Sequence, residues 1–121
     1  MNRITITIPL RPECIVTARL CAGSVAKILK LGIDDAEDLK LVTSEGCGIL
    51  FAQKYESCEV CFDWTDKGAE ISFAGRAGEV APACAEEEIA VSLMLLEGLC
   101  EEVSTERADA IRKITVRKSY Q

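Results

Sequence analysis

The chain has 121 residues with 20 acidic side chains, 14 basic ones and no histidine, a formal charge of −6 at pH 7. That length suits a single domain, residues 1-121, and a composition of 49% apolar and 28% charged residues is that of a folded globular protein. The acidic balance argues against a nucleic-acid binder, no apolar run approaches the roughly 18 residues of a membrane span, and the missing imidazole excludes histidine-based triads, dyads and metal sites.

Arg3-Ile4-Thr5-Ile6-Thr7-Ile8 alternates with period two and predicts a half-buried first strand. Met1 leads straight into it, without the charged-then-apolar pattern of a signal peptide. Pro12 suits the first turn of a helix that runs to Leu31, with Ile15, Ala18, Ala22, Val25, Ala26 and Leu29 on its core side. Gly32 is the expected stop, and Asp34-Asp35-Ala36-Glu37 offers a capping box for a second helix ending near Lys54. From Ser57 to Thr65 the alternation returns, with Cys58, Val60, Phe62 and Trp64 on one face. Asp66-Lys67-Gly68 turns that strand back into Ala69, Ile71 and Phe73, a hairpin. Gly75 to Ala85 reads as loop. Glu86-Glu87-Glu88 then sets acids at the positive end of a third helix carrying Ile89, Leu93, Leu96 and Cys100 at helical spacing. Two short strands close the chain, near Glu102–Thr105 and Ala110–Lys118. The order β-α-α-β-β-α-β-β predicts an α/β two-layer sandwich: one mostly antiparallel sheet with its helices on one face.

Seven cysteines are many for this length. Cys58-Glu59-Val60-Cys61 has the spacing of a zinc or redox pair, but residues three apart on a strand point to opposite faces, and a second pair is missing. Reduced, structural thiols are expected, with no metal site and a cytoplasmic location.

Two stretches resemble a known family. Asp35-Ala36-Glu37-Asp38-Leu39-Lys40-Leu41-Val42-Thr43-Ser44-Glu45-Gly46-Cys47 is similar to the second helix of the anti-sigma-factor serine kinases, members of the gyrase/histidine-kinase ATPase superfamily. Ser92-Leu93-Met94-Leu95-Leu96-Glu97-Gly98-Leu99-Cys100-Glu101-Glu102-Val103 resembles the same family's third helix and the acidic exit from it. The resemblance spans essentially the whole chain in length and element order, and implies the histidine-kinase-like (Bergerat-type) ATPase fold. It also implies a role. Such domains hold a sigma factor inactive, phosphorylate a serine of an anti-anti-sigma protein with ATP and magnesium, and usually dimerise, which leaves a homodimer open to this chain.

On the family's pattern Glu45 takes the place of the carboxylate that orients the attacking group. The magnesium-holding Asn is replaced by Ile49, which has no lone pair for a hard cation. The adenine-accepting Asp is replaced by Gly75, the glycines after it by Ala77 and Glu79, and those ahead of the third helix by Ala90 and Ser92. The resemblance thus implies a retained fold with lost chemistry: ATP and magnesium are not expected as cofactors, and Glu45 is a vestigial catalytic residue.

On the first helix, Arg19, Gly23, Lys27 and Lys30 form a basic stripe away from the core side, bordered by the apolar Val16 and Leu20. In the family an Arg at the position of Arg19 contacts partner proteins. Val16, Arg19, Leu20, Gly23 and Lys27 are therefore the candidate partner-binding residues. The expected function is that of a cytoplasmic regulator resembling an anti-sigma factor, binding a sigma factor or an anti-anti-sigma protein, with no nucleic acid or membrane among its partners. The alternative is an active ATP-dependent serine/threonine kinase of an anti-anti-sigma protein.

Overall fold

Strand alternation, helical periodicity and turn chemistry produce the eight elements in the expected order. The computed structural model describes residues 2–120. They form β1 (Asn2–Pro9), α1 (Pro12–Ile28), α2 (Ile33–Ala52), β2 (Ser57–Trp64), β3 (Gly68–Arg76), α3 (Glu86–Leu99), β4 (Glu102–Arg107) and β5 (Ile111–Ser119). The five strands make one sheet in the order β1-β2-β3-β5-β4, with every neighbouring pair antiparallel. Ile8, Cys58, Val60, Phe62, Ile71, Phe73, Ile114 and Val116 present one sheet face to the helices. On the helix side they meet Ala18, Ala22 and Val25 of α1, Leu39, Val42, Ile49 and Leu50 of α2, and Ile89 and Leu96 of α3. The other face carries small polar and charged side chains: Thr5, Cys61, Ser72, Thr115 and Ser104 stand in one register row across all five strands. One apolar face on one helical layer is a two-layer sandwich.

The helix ends differ from the expected ones. α1 starts with Pro12 in its first turn but stops at Ile28, because Lys30 takes a left-handed φ of 58°. The Leu31 N–H then donates to Ala26 O at 3.0 Å and the Lys30 N–H to Lys27 O at 3.1 Å, a Schellman closure with lysine where glycine is usual. α2 ends the same way: Lys54 has φ 74°, and Tyr55 N–H reaches back to Leu50 O. Gly32 is thus not the stop of α1 but the N-cap of α2, and no side chain caps that terminus, so the expected Asp34–Glu37 capping box does not form. Asp34 and Asp35 lie in the first turn, where they still complement the helix dipole.

One buried polar side chain fixes the far end of α2. Gln53 is fully buried, accepts from Ile111 N–H at 2.7 Å, and donates to Ile111 O at 3.0 Å and Ile49 O at 3.3 Å. Its own backbone carbonyl accepts from Ala83 N–H. A single glutamine therefore ties α2, the start of β5 and the loop before α3 together, satisfying backbone groups that the sheet leaves open.

Candidate functional site

The α1 surface is set by helical spacing. With Ala18, Ala22, Val25 and Ala26 spent on the core, Val16 is left 53% exposed and Leu20 70% exposed. Arg19 turns toward α2. Its side chain, 43% exposed, donates to Ser44 Oγ at 3.3 Å and lies 3.9 Å from Glu37 Oε2, while Glu37 Oε1 holds Lys40 at 3.4 Å. Gly23 is not open to another backbone, as its place in the stripe suggests; the Lys40 stem lies over it, 3.1 Å from where a Cβ would stand. Lys30 falls beyond the helix end, so the basic stripe stops at Lys27.

A groove of about 580 Å³ opens beside this surface, where the α1–α2 turn folds back. Leu20, Leu31 and Ile33 line it with Gly23, and Lys27 and Lys40 supply its charge. Ile33, 82% exposed, was not legible as a surface residue, because the first position of α2 gives no periodic signal. Together these residues offer apolar contact area ringed by cations on a chain whose net charge is negative.

No protein-family model matches this chain, and no curated protein does.

The positions that the resemblance assigns to nucleotide do not suit it. Ile49 is fully buried in the core, so nothing on that turn of α2 presents an oxygen to magnesium. Glu45 is half-buried and accepts from Ser92 Oγ of α3 at 2.6 Å. That hydrogen bond staples α2 to α3. At Gly75 a Cβ would stand 2.7 Å from the Tyr55 ring, so an acidic side chain could not project there without moving a buried aromatic. Glu79 is exposed in the loop before α3, and Ala90 faces outward on it. These residues do not fit magnesium-ATP.

The thiols divide by environment. Cys47 and Cys58 are buried side by side, and a hydrogen bond to Cys47 together with burial pushes the Cys58 thiol well up from its ordinary 9.0. Burial pushes Cys100 up to about 11. Cys61 lies half-buried on the sheet face opposite Cys58, as strand alternation requires. Cys84 departs from the expectation of structural thiols throughout: it is exposed, donating to Glu86 Oε1 at 3.5 Å with the Arg107 guanidinium 3.7 Å away. Among the described residues, no group of three or more Cys, Asp or Glu side chains is arranged to hold a metal ion. Nor is any helix among them long and apolar enough to cross a membrane.

Proposed function

We infer that this chain is a regulatory protein that resembles an anti-sigma factor and works by binding other proteins through α1 and the adjoining groove, without nucleotide chemistry. The observation that carries the reading is the exposure of Val16 and Leu20 beside Arg19, Lys27 and Lys40. A solvated helix face has no need of two large apolar side chains among cations, whereas a docking surface does. The partner this surface fits presents acidic and apolar side chains together; a sigma factor or an anti-anti-sigma protein is the proposed one. The element order and the motifs on α2 and α3 support the finer assignment to the Bergerat-type ATPase fold, with Ile49, Gly75 and the Glu45–Ser92 pair in place of a working site.

The reading is tested by affinity capture from a native cell extract, comparing the unaltered chain with Arg19→Ala and Leu20→Asp. A partner held by α1 is lost with Leu20→Asp and weakened about 30-fold by Arg19→Ala, since interface arginines commonly contribute about 2 kcal/mol. Melting temperatures of both variants stay close to that of the parent, because neither side chain belongs to the core. A captured partner that binds all three alike refutes the assignment of the surface. Magnesium-ATP at millimolar concentration should leave the melting temperature unchanged; a shift of several degrees, or phosphate transfer to a partner serine, refutes the loss of nucleotide chemistry.

A further inference from the structure

α3 spends one side on the fold and leaves the other open. Ile89 and Leu96 are buried in the core, and Ser92 donates to Glu45 of α2 at 2.6 Å. At helical spacing the side opposite them runs Glu87, Val91, Met94, Leu95 and Gly98. Val91 is 67% exposed, Met94 70% and Leu95 37%. A helix on a solvated surface ordinarily carries polar side chains there. The charge around this stripe has a single sign: α3 holds Glu86, Glu87, Glu88 and Glu97, with neither lysine nor arginine. Arg107 takes Glu86 at 3.3 Å, but among the described residues no cation pairs with Glu87, Glu88 or Glu97. The first three acids complement the positive end of the helix dipole. Glu97 does not, since it stands in the last turn, where the dipole disfavours an acid and no basic residue offsets it. Folding accounts for neither that carboxylate nor the three apolar side chains beside it.

We propose that the outer face of α3 docks a basic amphipathic helix of a partner protein, which gives the chain a second docking surface of opposite sign to that of α1. Charge selects the occupant. Cations flanking an apolar stripe on the visiting helix would meet Glu87 and Glu88 at one end and Glu97 at the other, while its apolar side chains cover Val91, Met94 and Leu95. Anionic lipid headgroups would meet the same glutamates with like charge, and so would the α3 face of a second copy.

The shape suits a helix. From Glu87 to Gly98 the stripe is roughly 17 Å long, about three helical turns. Gly98 has nothing within 4 Å of where a Cβ would stand, so a second helix can settle at a packing distance of about 8–10 Å. Three turns against three turns fall short of the roughly 1,200 Å² of a standard stable interface, which makes this a transient contact with a Kd in the micromolar range. α2 lies between α1 and α3 in the helical layer, so the two surfaces are about 20 Å apart, two helix-packing distances, and both can be occupied at once. An acidic partner on α1 and a basic one on α3 would then be held side by side.

Fluorescence anisotropy with two labelled amphipathic helical peptides of about four turns tests this. Both carry the same leucine stripe at i, i+3, i+4 and i+7, one with lysine flanks and the other with glutamate flanks. The lysine peptide binds the unaltered chain with a Kd of roughly tens of micromolar that rises several-fold with added salt, and the glutamate peptide binds at least about tenfold more weakly. Met94→Lys weakens the lysine peptide at least about tenfold. Thr7→Lys, which adds the same charge on the far face of the sheet, leaves its affinity within about twofold. Both side chains are exposed, and unchanged melting temperatures check that both variants fold. A lysine peptide that shows no binding at half-millimolar chain, or binds the two variants alike, overturns the proposal. A glutamate peptide that binds equally well also overturns it, since the face then selects no charge. Self-association in sedimentation velocity that Met94→Lys abolishes gives the face to a second copy instead. Flotation with vesicles of phosphatidylcholine and phosphatidylserine that the same variant abolishes gives it to a membrane.

Discussion

Replacing Gln53 with leucine tests whether this side chain holds the helical layer to β5. Leucine has similar bulk and fills the site, so the change removes hydrogen bonds rather than volume. What it leaves behind is the N–H and C=O of Ile111, a residue 1% exposed, which Gln53 meets at 2.7 and 3.0 Å. Each orphaned buried group costs about 1–3 kcal/mol, about 4 kcal/mol for the two at mid-range, and the apolar side chain returns up to about 2 kcal/mol, so mid-range values leave a net loss of roughly 2–4 kcal/mol. In a chain of this size that is a fall in Tm of about 8–16 °C. Thermal and urea unfolding followed by circular dichroism measure it, and hydrogen exchange should find the Ile111 amide less protected than its neighbours in β5. Gln53→Glu separates donor from acceptor, because it still accepts from Ile111 N–H but turns a buried charge toward the Ile111 and Ile49 carbonyls. The introduced carboxyl therefore has a raised pKa in the folded chain, and this variant recovers stability as pH falls. A loss below about 0.5 kcal/mol for Gln53→Leu would refute the reasoning and mean that water takes over the bonds.

Two glycines of α2 should respond with opposite signs. Gly46→Ala drives a Cβ to 2.5 Å from the buried Phe73 ring and costs about 1–3 kcal/mol, whereas Gly48, with nothing within 4 Å, gains about 1 kcal/mol of helix propensity as alanine; urea titration reads both. Alkaline pH should weaken the fold. Cys58, Cys100, Tyr55 and Tyr120 all have folded pKa values raised chiefly by burial or by the Cys47 contact, so the folded chain holds protons that the unfolded chain releases. Stability is then full below about pH 8.5 and falls as pH rises through 9 and beyond; a urea midpoint unchanged between pH 8 and pH 11 counts against this. In native protein a thiol reagent should modify Cys84 first, and Cys47 and Cys58 only on unfolding, with mass spectrometry assigning the order.

The elements were legible because their periods were clean. Ile4-Thr5-Ile6 and Cys58-Val60-Phe62 alternate, and Ala18-Ala22-Val25 keeps helical spacing, so strand faces and the core side of α1 follow from pattern alone. Helix ends were less so. Lysine at a left-handed position carries no composition signal, and the Schellman closure from Leu31 to Ala26 decided the stop in place of Gly32. The surface of α1 was legible at Val16 and Leu20, since neither fits the core face. Its surroundings were not: Ser44, Lys40 and Ile33 come from α2, and only the α1–α2 packing brings them to Arg19 and Gly23. The Glu45–Ser92 bond joins residues from two helices far apart in the chain, and a single sequence holds no record of such a pairing. Gln53 was missed for a similar reason, because a polar residue at a helix end reads as solvated until its partner strand is in place.

The pairing of β1 with β2 has a consequence for how the chain folds. β2 with β3 and β4 with β5 are joined by short turns and can form early, as can the α1–α2 hairpin. β1 finds its place only after both helices have closed the long connection between Pro9 and Ser57, and contacts so distant in sequence slow the search. Until then an uncharged Ile-Thr-Ile-Thr-Ile segment stands open, rich in β-formers and free of proline. Its encounters during refolding are second order in protein, so the refolded yield should fall as concentration rises, and β1 is the segment to which the losses trace.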